Sequence, residues 1–227
     1  MSKEADYPAR EPIFNAPPFV IALCGLMVVI HATTSLLGQE AAIWALQRFA
    51  YSPLYLWSAL GAVELNISPW RLGTLVTHAF LHADWLHLGV NVGLLLSFGA
   101  VVERVFGRVA LLLVFLLSAV AGAVTQTFFE GQAPFVMVGA SATVYAMMAL
   151  VVCIMIASKQ GGLRQRGLVM GVVLMGLNLL TGVVGLGDFL GGAEIAWQAH
   201  LGGFLLGLLA FKPLVWERRR RLRGQQR

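Results

Sequence analysis

Six stretches of the chain are almost wholly apolar, and short polar connections separate them. Each is close to the ~20 residues that a helix needs to cross the hydrocarbon core of a bilayer. Because nothing in that core can hydrogen-bond an open backbone, such runs are expected to be helical throughout. The pattern therefore predicts an all-α polytopic membrane protein, a bundle of six transmembrane helices. The predicted spans lie at about 19–37, 86–106, 109–129, 141–157, 167–187 and 196–214.

Polar flanks divide the chain into three predicted parts. Residues 1–18 are polar and contain several prolines, and are expected to form an N-terminal tail. Residues 19–214 form the membrane domain, and 215–227 form a basic C-terminal tail. Inside the membrane domain, residues 38–73 are a loop rich in Trp and Tyr. Aromatic enrichment of this kind is typical of a segment in the membrane interface.

Most positive charges fall on alternate connections between the spans, and the two exceptions, Arg48 and Arg71, lie in the first loop. The others occur in the N-terminal tail, after the second span, after the fourth span and at the C-terminus, namely at Lys3, Arg10, Arg104, Arg108, Lys159, Arg164, Arg166, Lys212, Arg218, Arg219, Arg220, Arg221, Arg223 and Arg227. By the positive-inside rule, both termini are predicted to be cytoplasmic. We expect a multi-pass protein of the cell's inner membrane.

Composition excludes several classes of function. The chain is 58% hydrophobic and only 12% charged, whereas soluble domains are about 25% charged. A net charge of +5 would suggest nucleic acid in a soluble protein, but here the basic residues mark topology, so no nucleic-acid partner is expected. The C-terminal arginines are expected to contact membrane lipids. Cys24 and Cys153 lie in apolar runs outside any Cys/His cluster, so neither a disulfide nor a cofactor is predicted.

Two polar residues in separate spans are candidates for chemistry. Ser141 opens the fourth span after Gly139 and Ala140, and His200 lies near the start of the sixth. A serine in packed membrane helices commonly bonds back to its own helix, and an intramembrane histidine can be a bonded core residue. If the two meet, the imidazole can take the hydroxyl proton, as a serine nucleophile requires. No carboxylate stands at helix-face spacing from His200, so we predict a Ser/His dyad and not a triad.

A second polar pair lies at the start of the second span. His87 and Asn91 are four residues apart and share a helix face. Together with the backbone amide of Ser141, they are candidate donors to an oxyanion. In the predicted orientation, Ser141, His200, His87 and Asn91 all lie within roughly 10 Å of the outer boundary of the hydrocarbon, at a rise of about 1.5 Å per residue.

Two glycine pairs with a spacing of four residues predict close helix packing. They are Gly89 with Gly93 in the second span and Gly203 with Gly207 in the sixth. Glu103 is expected to pair with Arg104 or to anchor the helix in the interface.

A metal site at His78, His82 and His87 is the weaker interpretation of the remaining histidines. The chain has no HExxH motif, and no carboxylate or thiolate lies at ligand spacing from them. We expect His78 and His82 to order their loop through hydrogen bonds, and we predict no metal.

Taken together, these residues resemble the rhomboid family of intramembrane serine proteases. The resemblance covers most of the chain from Trp70 to Ala210, and it depends on the order of the motifs and on their placement in six spans. The motifs are Trp70-Arg71, His82-x4-His87-x3-Asn91, Glu103-Arg104, Gly139-x-Ser141 with Tyr145, and Ala199-His200-x2-Gly203-x3-Gly207.

The resemblance implies that Ser141 is the nucleophile and His200 its base. It also implies that His87 and Asn91 contact the oxyanion, and that Tyr145 stacks on the catalytic imidazole. The implied substrates are single-span membrane proteins, cleaved near the outer face of the membrane. The family usually has glycine after the serine, where this chain has Ala142; its methyl group is expected either to crowd the oxyanion site or to tighten the helix.

Two other interpretations stay open at this point. One is a catalytically weak or inactive rhomboid-like protein that binds transmembrane segments, although relatives of that kind lack the serine or the histidine. The other is a small transporter with an intramembrane histidine relay. A relay would need polar residues down to the midplane, and the third and fifth spans have few beyond Thr125, Gln126 and Asn178.

Overall fold

The structure, a computed structural model, describes residues 16–183 and 196–225. Within those residues the regular elements are helices, apart from an isolated antiparallel bridge between Tyr51 and Met137. In chain order the helices are α1 (Pro18–Leu36), α2 (Gln39–Phe49), α3 (Pro53–Ala59), α4 (Thr74–Thr77), α5 (Trp85–Leu94), α6 (Ala100–Phe106), α7 (Arg108–Glu130), α8 (Ser141–Ala157), α9 (Leu163–Val183) and α10 (Trp197–Gly224). A π-helical turn, Leu95–Gly99, joins α5 to α6, and short 3₁₀ turns, Pro69–Gly73 and His78–Phe80, flank α4.

The described helices confirm the predicted all-α polytopic bundle. Five of them are long and apolar enough to cross a membrane: α1, the continuous α5–α6 helix, α7, α9 and α10. Helix α8 is also apolar but has only 17 residues. These helices correspond to the predicted spans, although the predicted end of the fifth span, residues 184–187, lies outside the described residues.

Helix α8 forms the centre of the bundle, and most of its side chains are buried. Its closest neighbour is α10. A Cβ atom added at Gly203 would overlap the carbonyl group of Ala142, and one at Gly207 would overlap that of Ala146. The glycine pair in the sixth span therefore lets two helix backbones touch, as its spacing predicted.

The glycine pair in the second span has no such role, and that prediction is wrong. A Cβ atom at Gly89 or Gly93 would meet nothing within 4 Å. Leu86 and Val90, on the same side of α5, are exposed. This stretch of α5 thus faces away from the bundle, and residue spacing alone does not reveal which helix face is buried.

Glu103 joins two helices. Its carboxylate accepts hydrogen bonds from the backbone N–H groups of Val20 at 2.8 Å and Phe19 at 3.3 Å. These amides belong to the first turn of α1, where N–H groups lack helical partners and a negative charge is favourable. Glu103 therefore caps α1, in place of the predicted pairing with Arg104 or anchoring in the interface.

The C-terminal basic segment continues α10 without a break past residue 214 to Gly224. Glu217 accepts a hydrogen bond from Arg221 Nε at 3.0 Å, one helical turn later. Pairs of opposite charge at this spacing support an exposed helix. The basic segment is therefore a helical extension of the last span.

Arg71 organises the first loop. Its guanidinium group lies 4.4 Å from the centre of the Trp70 ring and donates to the hydroxyl group of Tyr55 at 3.2 Å. It also donates to the carbonyl group of Gln47. One cation thus ties together α2, α3 and the 3₁₀ turn that follows them.

Candidate active site

Ser141 and His200 meet at the ends of two helices. Ser141 is the first residue of α8, and His200 lies in the first turn of α10. The distance from Ser141 Oγ to His200 Nε2 is 2.8 Å, which is an ordinary hydrogen-bond length. The histidine is only 9% exposed, while the serine is half-buried. The hydroxyl and imidazole groups singled out in the sequence therefore lie together.

The turn before α8 is built on Gly139. Its φ angle of +116° lies in the left-handed region, which glycine adopts without strain. A Cβ atom at Gly139 would stand 2.7 Å from Cε1 and Nε2 of the His87 ring. The Gly139 amide donates to the His78 carbonyl group at 3.0 Å. Glycine is thus needed for both the backbone turn and the packing of His87 beside it.

Tyr145 fixes the plane of the imidazole ring. It lies one turn after Ser141 on α8, and its ring stacks on that of His200 with centroids 4.5 Å apart and an interplanar angle of 8°. A stacked ring of this kind restricts rotation of the imidazole about its side-chain bonds.

The far side of the imidazole contacts Asn178, on α9. The distance between His200 Nδ1 and Asn178 Oδ1 is 2.6 Å. Asn178 Nδ2 donates to the carbonyl group of Trp197 at 3.1 Å. The spacing of carboxylates in the sequence did not reveal this partner of His200, although Asn178 is one of the few polar residues of the fifth span. The available signal was an asparagine in a largely apolar span, because such a side chain needs a partner inside the bundle.

His87 and Asn91 lie beside this pair but have different surroundings. The His87 ring packs on Gly139, two residues before Ser141. Asn91 is buried one turn further along α5, and its Nδ2 donates to the His87 carbonyl group at 2.8 Å. Since an amide nitrogen carries two hydrogens, Asn91 keeps a second N–H group for another acceptor.

His78 and His82 lie in the segment before α5. His78 Nδ1 donates to the Thr74 carbonyl group at 2.8 Å, a loop bond of the predicted kind, whereas both His82 ring nitrogens are buried without a protein partner among the described residues. Burial lowers the pKa of His78 to about 4 and that of His82 to about 3. Both rings are therefore neutral near pH 7. Within the described ranges, no three His, Cys, Asp or Glu side chains are grouped so as to hold a metal ion.

Helix α7 aligns the two helices that carry the serine and the histidine. Gln126 Oε1 accepts a hydrogen bond from the Ala199 amide in the first turn of α10, at 3.1 Å. A Cβ atom at Gly122 would lie 2.5 Å from the Ala142 methyl group and 3.1 Å from the Ala199 carbonyl oxygen. Contact at Gly122 therefore sets the distances from α7 to both α8 and α10, right beside the Ser141–His200 pair.

The first loop is fastened to the segment that leads into Ser141. Tyr51 and Met137 exchange two backbone hydrogen bonds, at 3.1 and 2.8 Å. The hydroxyl group of Tyr51 bonds that of Thr127, on α7, at 2.6 Å. The backbone before the serine is thereby held on one side by the loop and on the other by the bundle.

Comparison with known proteins gives consistent matches. The family model described as the Rhomboid domain matches residues 68–217. The Rhomboid protease GlpG of Serratia proteamaculans is 29% identical over 212 residues, which are 93% of this chain and 67% of that protein. The protein of the same name from Klebsiella pneumoniae is 30% identical over 209 residues, which are 91% of this chain and 67% of that protein. The protein of that name from Pectobacterium atrosepticum is 32% identical over 179 residues, which are 78% of this chain and 60% of that protein.

The family match lies over the part of the chain that contains the Ser141–His200 pair, and it spans all the helices from α5 to α9. The relatives from Serratia and Klebsiella align with more than nine tenths of this chain, at 29% and 30% identity. This chain belongs to the rhomboid family of intramembrane serine proteases.

Proposed function

We propose that this protein is a serine endopeptidase that cleaves transmembrane proteins near the outer face of the membrane, with Ser141 as nucleophile and His200 as general base. The observation that carries the proposal is the 2.8 Å distance between Ser141 Oγ and His200 Nε2. At that distance the imidazole can accept the hydroxyl proton directly. A serine hydroxyl is a weak nucleophile until such a base activates it.

In the acylation step, Ser141 Oγ attacks the carbonyl carbon of the scissile peptide while its proton passes to His200 Nε2. A tetrahedral intermediate forms with a negatively charged oxygen. As it collapses, the C–N bond breaks and His200 returns the proton to the departing amine. The serine is left as an ester of the N-terminal part of the substrate.

The negative oxygen of the intermediate needs hydrogen-bond donors. The Ser141 amide lies at the N-terminus of α8, where backbone N–H groups lack helical partners and the helix dipole favours an anion. His87 is packed on the preceding turn, and Asn91 has a free N–H group. We assign these three groups to the oxyanion, in a buried setting where each donor has a large effect.

The deacylation step needs water. His200 removes a proton from a water molecule, whose oxygen attacks the ester carbonyl. The Ser141 oxygen then leaves and recovers a proton from His200. Because Ser141 is half-buried at a helix end, we propose that water enters from the outer face.

Substrates are proposed to be single-span membrane proteins. A peptide bond inside a helix is shielded by its own hydrogen bonds, so the substrate must unwind locally before Ser141 can reach the carbonyl. In the orientation that the charge pattern favours, both termini are cytoplasmic and the protein lies in the inner membrane. The membrane domain would extend over residues 19–214, with cytoplasmic tails at 1–18 and 215–227.

The test is cleavage of a reporter transmembrane protein. Ser141→Ala and His200→Ala are each expected to reduce turnover by at least about a thousandfold, as loss of such a residue does in other serine proteases. Ser97→Ala is the matched control, because Ser97 is an intramembrane serine whose hydroxyl donates to the Gly93 carbonyl of its own helix, at 2.8 Å.

Cleavage by Ser141→Ala at the rate of the Ser97→Ala control would refute the proposal. If the unaltered protein were to capture the reporter without cutting it, the alternative of a segment-binding rhomboid-like protein would replace it.

A further inference from the structure

We propose that Asn178 is a positioning residue of the active site, which sets the tautomer of His200 and makes the Ser/His pair a Ser/His/Asn set. This inference rests on the proposed function, since it assigns a role to the partner of the general base. Asn178 comes from α9, a helix that contributes none of the residues singled out by the sequence for catalysis.

The orientation of the Asn178 amide follows from the chemistry of its two partners. Its terminal group lies between the Trp197 carbonyl oxygen at 3.1 Å and His200 Nδ1 at 2.6 Å. A backbone carbonyl can only accept a hydrogen bond, so the NH₂ group must face Trp197. The amide oxygen must then face the imidazole.

The orientation of the amide fixes the imidazole in turn. The Asn178 oxygen can only accept, so His200 Nδ1 must carry the hydrogen and donate it. In the neutral ring, Nε2 then holds the lone pair, and Nε2 is the atom 2.8 Å from Ser141 Oγ. One chain of hydrogen bonds thus runs from the Trp197 carbonyl through Asn178 to His200, whose Nε2 accepts the proton of the serine hydroxyl.

Burial strengthens the effect of Asn178 on the tautomer of His200. Asn178 is 2% exposed and His200 is 9% exposed, so no bulk water competes for Nδ1. The opposite tautomer would place a lone pair of Nδ1 against the amide oxygen, which is repulsive at 2.6 Å. Tyr145 fixes the plane of the ring but cannot choose between tautomers. Asn178 selects the tautomer of His200, as an asparagine does for the histidine of papain-like Cys/His/Asn proteases.

Contact between α9 and α10 holds Asn178 in place. A Cβ atom at Gly182, one turn after Asn178, would overlap the Trp197 ring. Trp197 therefore contacts α9 twice, through its ring at Gly182 and through its carbonyl at Asn178. The position of α9 against the start of α10 is thereby linked to the protonation pattern of the base.

The test compares Asn178→Leu, which removes the acceptor at similar volume, with Asn178→Asp, which keeps the acceptor and as a carboxylic acid can still donate to the Trp197 carbonyl group. Purified proteins are assayed for kcat and KM on the reporter and for the rate of labelling by a small fluorophosphonate. Asn178→Leu is expected to lower kcat and the labelling rate by about ten- to a hundredfold with KM unchanged, and Asn178→Asp to stay within about fivefold of wild type, because the acceptor orients the base without reacting itself.

Thr181→Ala is the matched control on the same helix. Among the described residues its hydroxyl donates to the Asn178 backbone carbonyl alone, at 3.0 Å, so wild-type rates are expected. Thermal melting is measured for each variant, and Asn178→Ala replaces Asn178→Leu if the latter does not fold.

Labelling of Asn178→Leu at the wild-type rate would overturn the inference, and so would an equal loss in Asn178→Leu and Asn178→Asp. Either result leaves the proposed function intact as long as Ser141→Ala is inert. Cleavage by Ser141→Ala would instead refute the proposed function itself.

Discussion

At the scale of single residues, Ala142 is where this chain departs from the glycine usual in its family. The structure directs its methyl group toward α7, where it packs against Gly122. Its neighbour on the other side is Gly203, which approaches the Ala142 carbonyl. Of the two expected effects, this packing favours a tighter helix contact. The additional methyl group is accommodated because the facing residue has no side chain.

This packing predicts a compensating pair of substitutions. Gly122→Ala places a second methyl group 2.5 Å from that of Ala142, and we expect a loss of about 1–3 kcal/mol in the free energy of unfolding. Adding Ala142→Gly should recover part of it, leaving a remainder from the Ala199 carbonyl at 3.1 Å. The measurement is unfolding of the two single variants and the double variant in detergent. Strictly additive effects would show that these two residues do not contact each other.

Buried histidines predict a dependence of stability on pH. The pKa of His78 falls from 6.5 to about 4 on burial, so the native ring stays neutral while the unfolded ring takes up a proton below pH 6.5. Stability is therefore complete above pH 6.5 and declines as the pH falls toward 4. For His78 alone we expect a loss of about 2 kcal/mol at pH 5, since one pKa unit corresponds to about 1.4 kcal/mol.

His78→Gln isolates the contribution of His78 to the pH dependence of stability, because glutamine can also donate to Thr74 and does not titrate. Unfolding is measured at pH 5 and pH 7.5, and the difference between the two pH values should be smaller in the variant by about that amount. An unchanged difference would mean that His78 is not a source of the pH dependence.

At the scale of helices, the contact between α8 and α10 determines the distance between Ser141 and His200. Gly207→Ala would drive a methyl group into the Ala146 carbonyl, a backbone atom that cannot move aside. We expect a loss of more than about 3 kcal/mol in stability together with loss of cleavage, as for other overpacked backbone contacts. The measurement is thermal melting combined with the reporter assay.

Gly93→Ala is the matched control, since Gly93 belongs to the other glycine pair and has open space around it. It should melt no lower than wild type, because alanine is the better helix former by about 1 kcal/mol. Equal destabilisation by the two substitutions would contradict the finding that the glycine pair of α10, and not that of α5, packs closely against another helix.

Helix by helix, the sequence predicts where the helices lie better than which faces meet. Long apolar runs reveal the spans because a bilayer demands both length and hydrophobicity. The same glycine spacing occurs at Gly89 and at Gly203, yet only Gly203 faces a neighbouring helix. The sequence also did not reveal the hydrogen-bond partners of Asn178 and Glu103, because each partner lies on another helix. Such contacts depend on the rotation of each helix, which an apolar run does not encode.

At the scale of the whole molecule, the charge pattern predicts that both termini are cytoplasmic. The helical extension of α10 concentrates arginines beyond Pro213, where they would meet the anionic inner leaflet. Reporter fusions that are active on only one side of the membrane check this orientation. Both termini should report the cytoplasm, whereas an outer C-terminus would place Ser141 at the inner face.

The central claim is that His200 activates Ser141 for attack on a carbonyl. Labelling of the membrane-embedded protein by a fluorophosphonate tests it most directly, because the probe reacts only with an activated serine. We predict one label per chain on Ser141, none in Ser141→Ala, and labelling slowed by at least about a thousandfold in His200→Ala, in line with loss of the base in other serine proteases. Labelling of His200→Ala at the wild-type rate, or of a serine other than Ser141, would contradict the account.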